Sequence, residues 1–284
     1  MNSNRTVVTV LAHNEERRIA ACLGSLPLGE PGIDVHVVVN GSSDRTAAIA
    51  REICAGRGTV HDWPEGGKSR SWNRLVFDTP GIVGDAYVFV DGDAEVVPGS
   101  IPALVAALAA DPFANAASAV PRNGRRADAY AAEMERDHGL FGDLYALSGG
   151  FVARMRAAGI RLPDDLVGDD GLVCAMAKTN LANEDGWRNE RVVVCRDAGF
   201  LCEEVKLFAP RTLLVQYKRM INYSVRHFQN RIVSDIMRGP GPGALPRRIS
   251  ERYPEWLHRF AARPSPSLWW FDRKALARMR LAGR

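Results

Sequence analysis

Apolar runs along the first third of the chain are too regular to be accidental. Val7 to Leu11 is apolar apart from Thr9, and it gives way to Ala12-His13-Asn14-Glu15-Glu16 and then to a helix-like run, Arg17 to Leu23. The pattern repeats with Ile33 to Val39, the polar loop Asn40-Gly41-Ser42-Ser43-Asp44-Arg45-Thr46 and a helical run Ala47 to Ile53. Strand, polar loop and helix in succession are the mark of βαβ units and a parallel sheet. A short third strand near Thr59-Val60-His61 leads to Gly66-Gly67-Lys68 and a helix around Ser69 to Phe77. A fourth, Ala86 to Val90, ends abruptly in Asp91-Gly92-Asp93. In open parallel sheets ligands sit beyond the carboxyl ends of the strands. The loops at His13-Asn14-Glu15, Asn40 to Asp44 and Asp91 to Asp93 are therefore expected to meet in one crevice.

Further on, periodicity predicts a helix over Ile101 to Ala110, stopped at Asp111-Pro112, and a basic loop over Val120 to Arg126. Asp128 to Leu147 reads as one helix, with Tyr130, Met134, Leu140, Phe141, Leu144 and Leu147 on its apolar side. Val192 to Cys195 reads as a late strand, and Leu213 to Met220 opens a long basic helix. Gly239-Pro240-Gly241-Pro242-Gly243 is a breaker and linker. It divides a body of residues 1–238 from an extension of residues 239–284.

Composition narrows the class. At 284 residues and 46% hydrophobic content the chain can bury a substantial core. Its N-terminal apolar run is too short for a signal-peptide core, and no stretch approaches the roughly eighteen apolar residues of a membrane span. These features predict a cytoplasmic protein. Five cysteines, an odd number without a CxxC pair, suggest neither a disulfide framework nor a zinc site. The net charge of +4 is uneven, because from Arg247 onward ten basic residues face Glu251, Glu255 and Asp272 alone. With Trp256, Trp269, Trp270 and Phe271 among those cations, the extension is suited either to peripheral contact with an anionic membrane surface or to packing on the body. The body carries no matching basic stripe, which argues against nucleic acid as a partner.

The chemistry concentrates in acidic positions. Asp91 and Asp93 stand two apart at the end of a buried strand with only Gly92 between them, so both carboxylates can turn toward one hard divalent ion. Asp-Gly-Asp is also ordinary turn chemistry. A dinucleotide fingerprint is excluded because the loop after the first strand has no glycine, and Gly66-Gly67-Lys68-Ser69 lacks the first glycine of a phosphate-cradling loop. Leu162 to Leu172 holds four carboxylates, of which Asp169-Asp170 stand immediately before a helical run as caps or as reactive groups.

Taken in order, Asn14-Glu15, Asn40 to Thr46, Gly67-Lys68 with Asn73, Asp91-Gly92-Asp93 followed by Pro98, Ser148-Gly149-Gly150 and Gly168-Asp169-Asp170 resemble the family-2 glycosyltransferases of the GT-A fold. The resemblance spans residues 5 to 235 and implies an α/β architecture, a mixed but mostly parallel central sheet flanked by helices. It implies a nucleotide-binding half at about 1–98 and an acceptor half at about 99–238. Ala12, Asn14, Glu15 and Asn40 are then expected near the base and ribose of the donor. Asn40 stands where the family often has aspartate, so an amide replaces a carboxylate there. Lys68 and Gly92 fall near the donor diphosphate, although a lysine at 68 could equally be a solvated surface residue. Asp91 and Asp93 match the DxD motif that binds a divalent cation, manganese or magnesium, with Asp93 the first metal ligand. Ser148, Gly149 and Gly150 correspond to a small-residue loop under the donor sugar. Asp170, with Asp169 beside it, corresponds to the general base of inverting enzymes. Gln216-x-x-Arg219 resembles part of a polysaccharide-synthase motif, with Met220 in place of tryptophan, and brings Arg219, Arg226 and His227 toward the diphosphate.

These expectations describe an inverting, metal-dependent transferase that moves a single sugar from a nucleotide-diphosphate donor, UDP-linked by resemblance, to the hydroxyl of a saccharide, lipid-linked or small-molecule acceptor. The rival readings are a catalytically silent scaffold of the same fold in a polysaccharide assembly complex, or a sugar-1-phosphate nucleotidyltransferase.

Overall fold

The structure is a computed structural model that describes residues 5–202 and 210–283. In order, the elements that frame the site are β1 (Thr6–Ala12), α1 (Ile19–Gly24), β2 (Ile33–Asn40), α2 (Thr46–Cys54), β3 (Thr59–Trp63), α3 (Lys68–Asn73), β4 (Ala86–Asp91) and the two-residue β5 (Glu95–Val96). There follow α4 (Ser100–Ala110), β6 (Ala116–Pro121), α5 (Ala127–Asp137), β7 (Leu144–Ser148), α6 (Gly149–Ala158), α7 (Asp169–Thr179) and β8 (Val192–Leu201). The long α8 (Pro210–Arg238), the single turn α9 (Tyr253–Trp256) and α10 (Pro266–Ala282) complete the chain.

One eight-stranded sheet, in the order β3-β2-β1-β4-β7-β6-β8-β5, runs through the molecule. Its first four strands are parallel, as the strand-loop-helix repeats require; β7 is antiparallel to both its neighbours and β5 to β8. Every residue of β1 is buried, because helices cover both faces. Alternate side chains feed two cores. Val8, Val10, Val37, Val39, Val88 and Val90 pack on Ile19, Cys22 and Leu23, whereas Val7, Leu11, Tyr87 and Phe89 pack on Trp72, Tyr145 and Phe151. In the second core Phe89 stacks between Trp72 and Tyr145, at 5.2 and 5.0 Å between ring centroids. The Trp72 indole donates to the Tyr145 hydroxyl at 3.1 Å, so the polar tips of two wholly buried rings satisfy each other.

The stretch expected to be one helix from Asp128 to Leu147 is instead a helix and a central strand. α5 ends at Asp137, His138 turns left-handed at φ 49°, and Leu144 to Ser148 enters the sheet beside β4. The physical reason is burial. Leu144, Tyr145, Ala146 and Leu147 are covered on both sides, and a short wholly apolar run carries no period that separates a strand from a helix. Alanine-rich β6, also wholly buried, escaped notice for the same reason.

The C-terminal segment packs on the body. Asp165 accepts hydrogen bonds from the backbone N–H groups of Ile249 and Ser250, and Gln229 of α8 donates to the Tyr253 hydroxyl. Ala275, Leu276 and Met279 of α10 are buried beside Asp272, which the Arg263 guanidinium grips through both carboxylate oxygens. Burial alone would raise the Asp272 pKa, but the Arg263 side chain and backbone N–H and the Ser224 hydroxyl outweigh it and hold the carboxyl at about 2. A folded pKa below the unfolded value of about 3.9 stabilises the fold above that value and is lost as pH falls through about 2. Asp272→Asn should therefore cost about 2 kcal/mol near neutrality. In urea titrations the gap from the parent protein should narrow as pH drops from 5 toward 2; a gap that stays constant would refute the assignment. Among the described residues no helix is long and apolar enough to cross a membrane.

Candidate active site

The carboxyl ends of β1, β2 and β4 lie side by side, with Leu11 opposite both Val38 and Asp91. Gly92 donates its N–H to the Leu11 carbonyl at 2.9 Å, and a Cβ on Gly92 would stand 2.7 Å from that of Ala12. Only glycine allows the loop after β4 to close on β1 in this way. Ala94 N–H also bonds back to the Asp91 carbonyl, so Asp91-Gly92-Asp93 is a turn as well as a carboxylate pair. The loop after β2 is tied in similarly. Gly41 has φ 57°, and a Cβ there would sit 2.7 Å from Gly66, which brings Gly66-Gly67 against the end of β2.

Asp143 enters from the start of β7. Because β7 runs antiparallel to β4, the Asp143 carbonyl accepts the Asp91 N–H at 3.1 Å, and oxygens of Asp91, Asp93 and Asp143 lie within 4.8 Å of one another. Burial pushes Asp143 above the ordinary carboxylate range, and Asp93 adds to the rise against the opposing Cys202 thiol and Lys68. Burial likewise pushes Asp91 up, opposed by Lys68, whose Nζ lies 2.6 Å from Asp91 Oδ1 and 3.6 Å from Asp169 Oδ1. Desolvation by itself would discharge Lys68, but Asp169 and Asp91 keep it charged. Crowded carboxylates whose charge is disfavoured by burial suit a hard divalent cation with oxygen ligands.

Asp169 and Asp170 open α7 and have different surroundings. Asp169 is 2% exposed, and its Oδ2 has no hydrogen-bond partner among the described residues. Asp170 is only partly buried and accepts from Arg226 of α8 at 2.8 Å. Gly168 permits that approach, since a Cβ on it would stand 2.3 Å from Arg226 Nε. Gly142 passes between the two groups, its Cβ position 3.4 Å from Asp170 and 3.5 Å from Lys68 Nζ. Arg219, Asn222, Tyr223 and Arg226 follow the i, i+3, i+4, i+7 spacing of one helical face, and each lines one of two adjoining cavities. One, of about 570 Å³, holds Lys68, Asp91, Asp93, Asp143, Asp169, Asp170, Arg219 and Arg226. The other, of about 630 Å³, holds His13, Glu15, Asn40, Gly66, Gly67, Lys68, Asp91, Gly92, Asp93 and Arg278. A larger cavity of about 1250 Å³, between Arg74, Arg161 and Arg248, contains none of the clustered carboxylates.

Most residues singled out in the sequence thus converge, and several of them also tie the loops together. Asn40 is 4% exposed; its amide donates to the Ala12 carbonyl and accepts from Gly67 N–H, so it staples three loops together. Asn14 accepts from Ser43 N–H and Glu15 N–H donates to Thr46, which join the first loop to the second. Of the four carboxylates from Asp164 to Asp170, the first two are structural, Asp164 holding Asn73 and Asp165 the start of the extension.

Ser148, Gly149 and Gly150, expected under the donor sugar, stand away from the acidic crevice. They stand at the opposite end of the sheet, where Ser148 pairs with Ala86 and caps α6, and a Cβ on Gly149 would stand 2.5 Å from the Gly84 carbonyl. The antiparallel direction of β7 reverses its ends, so its beginning, Phe141-Gly142-Asp143, meets the crevice. His227 lies on another side of α8, among Arg263, Asp272 and Arg231, and burial lowers its pKa. Sequence reasoning missed Asp143, Gly142, Tyr223, Asn222 and Arg278. Gly139 and Gly142, unfavourable in a helix interior, were the signal that could have broken the supposed helix and freed Asp143.

Residues 7–163 match the model of glycosyl transferase family 2. Protein RfbJ of Shigella flexneri is 30% identical over 104 residues, 37% of this chain and 76% of that protein. Among solved structures, the mannosyltransferase PcManGT of Pyrobaculum calidifontis, determined with GDP-Man and Mn2+, superposes with a TM-score of 0.60 at 20% identity, over 99% of this chain and 76% of that one. Glucosyl-3-phosphoglycerate synthase of Mycobacterium tuberculosis, with Mn2+, UDP-Glc and phosphoglyceric acid, gives 0.54 at 19% identity, over 86% and 81%. With its sheet order and acidic crevice in place, the chain belongs to glycosyl transferase family 2, as a glycosyltransferase of the GT-A fold.

Proposed function

We propose that the protein transfers a single sugar, with inversion, from a nucleoside-diphosphate sugar to an acceptor hydroxyl, and that Asp170 is the general base. The observation that carries the reading is the pairing across one crevice of a carboxylate triad, Asp91, Asp93 and Asp143, with a separate accessible carboxylate, Asp170, and Lys68 between them. Asp93, Asp91 and Asp143 would hold a divalent cation. When bound, that cation supplies positive charge to the departing diphosphate without a proton transfer. Lys68 adds a fixed cation at the same end. Arg226 orients Asp170 toward the cavity, where one carboxylate oxygen can accept the proton of an attacking hydroxyl.

Asp169 is less suited to that task, since it is buried and faces Lys68. The base and ribose fall to the wall of His13, Glu15, Asn40 and Gly66-Gly67. UDP is the first donor nucleotide to examine, with GDP beside it because both occur in the similar structures. The acceptor belongs in the cavity of Phe141, Asp170, Arg219 and Tyr223.

Titration calorimetry tests the reading directly. UDP or GDP should bind with manganese present and at least tenfold more weakly without it, and Asp93→Ala should abolish the difference. Manganese-dependent binding that survives in Asp93→Ala would remove that residue from the metal site. If neither nucleotide bound the parent protein under any condition, the donor class itself would be wrong.

A further inference from the structure

Arg278 lies in the C-terminal helix, beyond the segment that matches the family, yet it lines the same cavity as Lys68, Asp91, Gly92 and Asp93. We propose that Arg278 is a donor-binding residue that meets the diphosphate, so that the C-terminal segment forms part of the active site. The inference rests on the nucleoside-diphosphate reading above and adds to it a residue that no motif marks.

Three observations carry it. First, the guanidinium is held in place. Its Nη1 donates to Asn222 Oδ1 at 2.8 Å, and Asn222 lies one turn from both Arg219 and Arg226 on the face of α8 that closes the crevice. Second, the helix that carries it is fixed. Ala275, Leu276 and Met279 are buried, and Asp272 is clamped by Arg263, whose guanidinium also reaches Ser224 of α8. Third, among the described residues no carboxylate lies within ion-pair distance of Arg278, whereas Arg226 on the same crevice is paired with Asp170. A guanidinium with one neutral partner keeps donors for an anion, and its planar fork matches phosphate oxygens. Beside the carboxylates and Lys68, the anion of the right charge and size is the diphosphate.

The test uses the full-length protein and calorimetry with UDP, UMP and uridine in the presence of manganese, GDP and its fragments replacing them if the donor is guanylated. Arg278→Gln should weaken the diphosphate by about 10–100-fold, the monophosphate by less and the nucleoside hardly at all. Arg278→Lys should recover part of the loss, and Asn222→Ala should fall between. Arg273→Gln removes the same charge from an exposed position of the same helix and should leave all three affinities unchanged, which separates a contact from a long-range field. Equal losses for nucleoside and diphosphate would overturn the phosphate contact, and so would parent-like binding by Arg278→Gln with its melting temperature preserved. Failure of the parent protein to bind any nucleoside diphosphate would instead refute the donor class.

Discussion

Asp170→Asn should lower turnover by about 10²–10⁴-fold while leaving metal-dependent nucleotide binding within a few-fold of the parent protein. The substitution keeps the volume and an oxygen for Arg226 to donate to, so the 2.8 Å contact can persist while the capacity to take a proton is lost. The effect belongs in kcat, because the proton moves only as the hydroxyl attacks. Asp169→Asn should behave differently. It neutralises a buried group opposite Lys68, so its main effect is expected on stability and donor affinity. Steady-state kinetics with the best donor and acceptor of a nucleotide-sugar screen, alongside calorimetry, separate the two. Normal turnover in Asp170→Asn would oblige the base to be sought elsewhere in the crevice.

The second large effect is expected at Lys68. Its ammonium lies between Asp91 and Asp169, and the Asp169 oxygen without a hydrogen-bond partner shows how little else compensates that charge. Lys68→Met keeps the aliphatic stem and leaves the carboxylates facing one another, a loss on the order of 1–3 kcal/mol, between that of an exposed and that of a fully buried pair, because the Lys68 and Asp91 side chains are 31% and 24% exposed. Manganese should restore part of it, since an ion held by Asp91, Asp93 and Asp143 supplies the missing positive charge and binds only the folded state. Urea midpoints with and without manganese measure both quantities. A variant as stable as the parent without metal would show that the carboxylates protonate at little cost. A variant to which manganese adds no more stability than to the parent would show that metal and lysine act on separate charges.

The parallel half of the fold was legible because its signals are local. Val7 to Leu11, Ile33 to Val39 and Ala86 to Val90 are apolar runs followed by polar loops, and strands buried on both faces can hardly be written otherwise. Asp91 and Asp93 were legible because carboxylates at the end of a buried strand are costly unless they hold something, and Lys68, Asp169 and Asp170 were singled out by their resemblance to the family's motifs. Chain direction was not legible. Leu144 to Leu147 is as consistent with a helix as with a strand, and only pairing with Ala86 to Val90 makes it an antiparallel strand. That reversal sends Ser148-Gly149-Gly150 away from the crevice and brings Asp143 into it.

The chain by itself therefore determined the class of fold, the strand ends that carry the chemistry and the identity of most acids in the crevice. Tertiary structure alone decided the third carboxylate of the triad, the use of Asn40 as an internal staple and the arrival of Arg278 from the far end of the sequence. Hydrophobic period and strand-end polarity are written within a few neighbouring residues. The direction of a central strand and the docking of a terminal helix are set by contacts between residues far apart in the chain, such as Ala86 with Ser148 and Asn222 with Arg278, which no local pattern encodes.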